Sequence, residues 1–428
     1  MSQTRTAPDC CETHGDRVSM ESAYPNWSKS EESMPPTRIG IILNGASGRM
    51  GYRQHLTRSI LPIRDQGGVL LSDGQTRVQV EPMLVGRDLK KLSEIADRHD
   101  ISHISTDLDV CLADSRWDIY ADFLVTKARV PALRKAIDAG KAIYTEKPTA
   151  ETFDEALDLA HRARRAGVKN GVVHDKLFLP GLTKLKQLID SGFFGRILSV
   201  RGEFGYWVFE GDWQSAQRPS WNYRAEDGGG IVVDMFPHWN YVLEHLFGAV
   251  ESVYTQTSTH IPSRVDEAGN PYVATADDAA YAIFGLSGGI MAQLNSSWTV
   301  RVNRRELVEF QVDGTHGSAV AGLFDCRVQH RNVTPRPVWN PDLPDTHDYP
   351  ADWMSVPDNT PFDNGFKAQW EQFIRHVVED GPHPYDFLSG ARGVRLAEAG
   401  LESSRTGSRI HLGQLGADHH DDLAVSVR

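Results

Sequence analysis

Three sets of side chains in this 428-residue sequence have types and spacings that could carry chemistry. Lys147 stands in Glu146-Lys147-Pro148, directly after the apolar run Ala142 to Thr145. The carboxyl ends of parallel strands are where open α/β sheets bind ligands, and an ammonium there can polarise a substrate oxygen or lower the pKa of a neighbouring acid. Asp234 and His238 lie four apart, ahead of the helix-like run Trp239 to Leu246, so both can face one cleft. An imidazole of near-neutral pKa suits a proton step, with the carboxylate orienting it. Pro237 cannot lie deep in a helix without losing a hydrogen bond, so the helix is expected to start near Met235 with Asp234 at its cap. The plainer alternative is that Asp234 is only an N-cap and His238 only a packed first-turn residue.

The third set is Gly45-Ala46-Ser47-Gly48-Arg49-Met50-Gly51, which follows the apolar run Ile39 to Leu43 and leads into a helical pattern. Strand, glycine turn and helix in that order suit a dinucleotide pyrophosphate, because glycines let backbone N–H groups approach phosphate at a helix N-terminus. The spacing is G-x-x-G-x-x-G rather than G-x-G-x-x-G, and an ordinary glycine-rich loop is the competing reading. After the second strand the chain reads Gly86-Arg87-Asp88. A small residue followed by arginine leaves room and charge for a 2′-phosphate, which leans towards NADP, while Asp88 keeps NAD open.

A substrate class is suggested by Tyr206-Trp207-Val208-Phe209-Glu210-Gly211-Asp212-Trp213 and by Arg218-Pro219-Ser220-Trp221-Asn222-Tyr223-Arg224. Aromatic faces stack on the C–H faces of sugar rings, and Asp, Asn and Arg hydrogen-bond hydroxyls; a packed aromatic cluster is the structural alternative. Tyr206, Arg218, Trp221 and Lys176 are the residues expected at the substrate beside Asp234 and His238, with His260 and Arg264 as further polar candidates.

The elements that must position these groups divide near residue 175. From Arg38 to Val173, strand-like runs at Ile39 to Leu43, Val78 to Val85, Ile119 to Val125, Ala142 to Thr145 and Gly171 to Val173 alternate with helical patterns. This predicts βαβ units and a doubly wound parallel sheet, an α/β nucleotide-binding domain over 37–174. Thr152-x-x-Glu155 marks one helix start and Gly167 its end. Beyond lie a helix at Gly181 to Asp190, a long strand at Ile197 to Phe209, and strand-like runs near Val253, Ala280, Ala292, Val308 and Val320. They predict an α+β domain over 175–412 with a large, mostly antiparallel open sheet. Two final helical patterns, Phe366 to Val378 and Ala391 to Leu401, are expected to close it, and the proline-rich stretch 333–362 reads as a long loop. Residues 1–36 read as a mobile extension and 413–428 as a tail.

A formal net charge of -12 with mixed signs offers no basic surface for a phosphate backbone, so nucleic acid is not an expected partner. No apolar stretch is long enough to span a bilayer and no secretory signal is legible, which points to a cytoplasmic protein without a membrane partner. Cys10, Cys11, Cys111 and Cys326 show no metal-ligand spacing.

Taken in order, the glycine turn, Ala139-Gly140-Lys141 through Glu146-Lys147-Pro148, and the Gly228-Gly229-Gly230 to His238 segment resemble the Gfo/Idh/MocA oxidoreductases, across about residues 37 to 412. The resemblance implies a catalytic trio of Lys147, Asp234 and His238. It also implies cofactor contacts from Gly45, Ser47, Gly48, Arg49, Met50, Arg87, Thr126, Glu146 and Lys147, and a homodimer or homotetramer whose partner covers the second sheet. Two stretches depart from the family pattern: Thr126-Lys127-Ala128-Arg129, two residues short, and His174-Asp175-Lys176, which adds a second lysine. The activity implied is NAD(P)-dependent hydride transfer to or from a secondary hydroxyl of a sugar, glycoside or cyclitol. Redox-neutral use of a retained cofactor for transient C3 oxidation, and a non-catalytic ligand sensor, remain alternatives.

Overall fold

The computed structural model describes residues 38–413 except 206–209, 302–305, 337–339, 345–346 and 359–360. The expected extension 1–36, the tail from 414 onward, Cys10, Cys11 and Tyr206 lie outside the described residues.

The alternating first half builds a sheet in which Arg77–Val85, Arg38–Asn44, Ile119–Asp122, Ala142–Thr145 and Asn170–Val172 lie side by side in parallel. His103–Ser105 pairs in parallel and Val69–Leu70 antiparallel with Arg77–Val85; both are too short for periodicity to reveal. The strand expected to run to Val125 stops at Asp122, whose carboxylate accepts the Leu124 N–H and turns the chain. The helix Phe153–Arg165 starts as read, with the Thr152 hydroxyl accepting from the Glu155 N–H.

Both faces of this sheet are buried, as a parallel sheet requires. One face packs Ile39, Ile41 and Leu43 against Trp370, Phe373 and Ile374 of the helix Gly365–Glu379. The other packs Ile42, Tyr120 and Ile143 against Leu133, Leu159 and also Phe387, Ala391 and Val394 of the helix Phe387–Thr406. The helix Gly365–Glu379, expected to close the second sheet, thus returns to cover the first, while Phe387–Thr406 serves both, its Leu396, Ala397 and Ala399 packing into the core of the second as expected.

The second sheet runs Met354–Ser355, Cys326–His330, Gly317–Ala321, Val308–Gly314, Ile197–Gly205, Met291–Ser297, Ala279–Leu286, Val250–Ser258, Ile410–His411. Met291–Ser297 and Ile197–Gly205 pair in parallel and the other neighbours antiparallel. Its inner face packs Phe204, Phe284, Leu294 and Phe310 against Trp239, Val242 and Leu246 of the helix Ile231–Phe247. The outer face leaves Tyr254, Tyr281, Ile283 and Met291 exposed, with Ile283 directly opposite Tyr254.

The helix Ile231–Phe247 corrects an expectation. It starts four residues before Met235, so Asp234 lies in its first turn and Pro237 within it. Its leading N–H groups are satisfied from a distant segment: Ile231 N–H donates to the Asp277 carbonyl (2.9 Å) and Val232 N–H to Asp277 Oδ2 (2.8 Å). Pro237 sits against Gly393, where a Cβ would lie 3.2 Å from the proline ring, so the helix Phe387–Thr406 approaches at the proline.

Among the described residues, no helix is long and apolar enough to cross a membrane and no His/Cys/Asp/Glu group is placed to hold a metal. Cys111 and Cys326 are buried and unpaired.

Candidate active site

The site forms where the carboxyl ends of the first sheet's strands meet the first turns of Ile231–Phe247. At the glycine turn, Gly45 takes φ +84°, and a Cβ there would lie 3.0 Å from the Phe123 carbonyl oxygen; only glycine fits without strain. Gly48 and Arg49 are exposed and Ser47 and Met50 half-buried. A bare backbone cradle ahead of a helix is what a pyrophosphate needs, so these residues fit a dinucleotide. The helix that follows winds as a π-helix over Gly51–Ile60.

At the end of the neighbouring strand, Gly86 lies close to Ser47 and Arg87 is exposed. Asp88 caps the helix Leu89–His99, accepting the Lys91 N–H at 3.1 Å. Thr126 is the half-buried first residue of the helix Thr126–Asp138. Three residues on, Arg129 is buried and holds strand ends together: it donates to Asp122 Oδ1 (3.0 Å), to the Leu124 carbonyl (2.6 Å) and to the Pro148 carbonyl. Asp122 also accepts from the Tyr120 hydroxyl at 2.6 Å.

Glu146 is buried behind Lys147 and pairs with His55 of the π-helix, Oε1 to Nε2 at 2.9 Å. The Trp370 indole N–H, which can only donate, reaches His55 Nδ1 at 3.0 Å. His55 Nδ1 is therefore unprotonated, and the ring donates through Nε2 to Glu146. Burial opposes charge on Glu146, but the His55 hydrogen bond and the nearby Lys147 and Arg129 charges outweigh it, and its carboxyl is held below the ordinary value.

Lys147 Nζ donates to Asp234 Oδ1 at 2.7 Å and to the Asp234 carbonyl at 2.8 Å. Arg218 meets the other carboxylate oxygen at 2.8 Å. Burial opposes ionisation of Asp234, but the Arg218 and Lys147 charges overcome it, so Asp234 stays a carboxylate far below the usual range.

His238 was expected to be oriented by Asp234, and here the structure differs. Both Asp234 oxygens face cations, while His238 Nδ1 lies 2.6 Å from the Tyr241 hydroxyl, which lies 3.3 Å from Asp175 Oδ1. Lys176 Nζ is 3.2 and 3.3 Å from the two ring nitrogens of His238. Near-equal distances put the ammonium over the ring, since an in-plane position between the nitrogens would drive it into Cε1. Burial first, then the Lys147 and Lys176 ammoniums, hold His238 well below its ordinary pKa. Burial also lowers Lys176, against the pull of Asp175.

Lys147, Asp234, His238, Lys176 and Arg218 thus meet in one place. Trp221 is 45% exposed, close in sequence to Arg218 but without a contact that places it on this cluster. Arg264 belongs elsewhere: it is buried, paired with Asp278 at 2.7 Å and stacked on Tyr223. The His260 ring meets Thr299 at 3.2 Å. Reasoning from the sequence missed His55, Asp175 and Tyr241. Tyr241 had a signal, since it lies three residues after His238 on the same helix face; His55 had none short of the fold.

Comparison with known proteins places residues 182–320 under the model of the GFO/IDH/MocA C-terminal domain. D-xylose dehydrogenase from Paenarthrobacter nicotinovorans is 61% identical over 370 residues, covering 86% of this chain and 95% of that protein. Levoglucosan dehydrogenase from Pseudarthrobacter phenanthrenivorans is 22% identical over 305 residues, 67% of this chain and 74% of that protein. Among solved structures, levoglucosan dehydrogenase in complex with NADH and levoglucosan has the same fold, with a TM-score of 0.72 at 20% identity over 88% of this chain and 100% of that one. An NAD binding oxidoreductase from Klebsiella pneumoniae has a TM-score of 0.74 at 19% identity, over 89% of this chain and 100% of that one.

Proposed function

This chain belongs to the Gfo/Idh/MocA oxidoreductase family, and we propose that it is an NAD(P)-dependent sugar dehydrogenase acting on a CH–OH group of a pentose-like pyranose. The observation that carries the reading is the Lys147 ammonium held 2.7 Å from Asp234, at the carboxyl end of Ala142–Thr145, with His238 one helical turn on. The 61% identity to a D-xylose dehydrogenase supports D-xylose as the first substrate to try.

Each residue has a chemical task. An ammonium has three protons; Asp234 takes two from Lys147 and leaves one for the substrate hydroxyl oxygen, where it stabilises developing alkoxide charge. His238, kept neutral by burial and by two ammoniums, has a free lone pair to accept the hydroxyl proton. Arg218 locks the far side of Asp234, and Lys176 faces the same space. The bound nicotinamide would accept the hydride, with the Gly45 to Met50 turn, Arg87, Thr126 and the Glu146-Lys147 corner holding the cofactor.

NADP is the preferred cofactor in this reading. Exposed Arg87 stands beside small Gly86, leaving room and charge for a 2′-phosphate, while Asp88 gives one carboxylate oxygen to capping the helix Leu89–His99. Arg87→Ala should raise KM for NADP about tenfold, the equivalent of one charge-assisted hydrogen bond, with little change for NAD. Equal effects on both cofactors would remove the preference. A second copy of the chain covers the face carrying Tyr254, Tyr281, Ile283 and Met291, giving a homodimer or homotetramer. The free buried thiols of Cys111 and Cys326 fit a reducing cytoplasm.

The test is a panel of D-xylose, other sugars, glycosides and cyclitols with NAD and NADP, followed at the reduced nicotinamide band. Release of reduced cofactor with a sugar, lost about a hundred- to ten-thousandfold in Lys147→Ala, is expected. Turnover without reduced cofactor would favour the redox-neutral alternative, and activity untouched by Lys147→Ala would overturn the assignment.

A further inference from the structure

Oxidising an alcohol releases a proton as well as a hydride, and the group placed to take that proton is buried. His238 is 7% exposed and Tyr241 3%. With two ammoniums nearby, an imidazolium at His238 is strongly disfavoured, so the proton must move on.

Hydrogen-bond direction supplies a route. The Asp175 carboxylate can only accept. The Tyr241 hydroxyl lies between it (3.3 Å) and His238 Nδ1 (2.6 Å), and also accepts the Lys176 backbone N–H. The hydroxyl has one proton. If it pointed at His238, its oxygen and the Asp175 oxygen would face each other with no hydrogen between. Both contacts are hydrogen bonds only if Tyr241 donates to Asp175 and His238 Nδ1–H donates to Tyr241. That leaves the His238 Nε2 lone pair for substrate. Asp175 is the member that keeps contact with water, its side chain 16% exposed.

We infer that Tyr241 and Asp175 form a proton relay that drains His238 during sugar oxidation. The inference rests on the dehydrogenase reading of the same site. The substrate hydroxyl proton passes to His238 Nε2, the Nδ1 proton passes to the Tyr241 oxygen, and the Tyr241 proton passes to Asp175 and then to water. The C–H bond breaks with its electron pair leaving as hydride to the oxidised nicotinamide. Charge balances: one proton reaches solvent for each hydride transferred, and exchange with water after product leaves moves the ring proton from Nε2 back to Nδ1 for the next turnover. Tyr241 and Asp175 act through His238 and are positioning residues rather than catalytic ones. The charged and titratable groups facing this chain are Lys147, Lys176, Arg218, Asp234, Glu146 and His174. Of these Lys147 and then Lys176 weigh most, because ammoniums beside the ring favour passing the proton onward.

Two measurements test the relay. In the cofactor-free full chain labelled with ¹⁵N-histidine, the His238 signals, identified by their loss in His238→Gln, should report the Nδ1–H tautomer. Tyr241→Phe should abolish that preference; an Nε2–H tautomer in the wild type overturns the relay whatever the enzyme's activity. Kinetically, Tyr241→Phe and Asp175→Asn should each lower the oxidative kcat about ten- to a hundredfold. The solvent isotope effect should rise, the substrate-deuterium effect should shrink, and kcat should become dependent on buffer concentration. Asp175→Glu should recover most of the rate, and NADPH affinity should stay within about twofold. A kcat and isotope effects at wild-type values in folded Tyr241→Phe and Asp175→Asn also overturn the relay. Absence of cofactor reduction by the wild-type enzyme would instead overturn the dehydrogenase reading, leaving the tautomer to be judged on its own.

Discussion

The two sheets bury themselves in opposite ways. The parallel sheet is covered on both faces, and part of its cover arrives from Gly365–Glu379, far along the chain, which brings Trp370 against His55. Its strand ends contain charges that the chain satisfies internally, with Asp122 to Arg129 and Glu146 to His55. The second sheet is covered on one face only, and its outer face carries exposed Tyr254, Tyr281, Ile283 and Met291. The first sheet therefore builds half of the site from its own interior, while the second half of the chain contributes the helix Ile231–Phe247 and Arg218 and leaves one sheet face exposed. Damage to the first should register as lost stability of the whole chain, and damage to the second as a change in assembly.

The largest effect should come from Arg129→Ala. It leaves the buried Asp122 carboxylate without its cation and frees the Leu124 and Pro148 carbonyls. Breaking one side of a buried pair costs about 3–5 kcal/mol, so urea unfolding should shift by that amount. A change under about 0.5 kcal/mol would remove the distinction between the two regions.

A smaller, pH-dependent effect is expected at His383, which packs against Phe373 and the strand Asn170–Val172 with neither ring nitrogen bonded. Burial, with the His376 charge second, depresses it to about 3. An unfolded histidine takes its proton near its ordinary value of about 6.5, so the unfolded state binds more protons as pH falls between these values. Stability is then lost on acidification, by about 2 kcal/mol at pH 5. His383→Phe should flatten that slope between pH 7 and pH 5, measured as unfolding midpoints at each pH; an unchanged slope would show that His383 is not its source.

The smallest effect on the single chain should come from Ile283→Asp on the outer face. Away from cores, substitutions usually alter stability by less than about 0.5 kcal/mol, yet a charge in the middle of an apolar contact should dissociate the oligomer in sedimentation. A wild type that sediments as a monomer, or a variant that assembles unchanged, would break the comparison from its second side.

Much of this architecture is local and hence legible in residue order. Ala142–Thr145 is found with the limits read for it, and Thr152 caps its helix as expected. Asp234 and His238 share one face because four residues make about one helical turn. Less was legible at the helix carrying them, because its start is satisfied by Asp277 and its proline is accommodated by Gly393.

Residue types and their spacing alone determined that this chain would set a glycine turn, a strand-end lysine and a helical Asp-His pair in a nucleotide-binding framework, since strand and helix periods act over a few neighbours. Tertiary structure alone decided which partner each group holds: Asp234 with Lys147 and Arg218, His238 with Tyr241 and Lys176, and Glu146 with His55. Those pairings join segments far apart in the chain, and a buried polar group must take whatever donor or acceptor packing delivers to it.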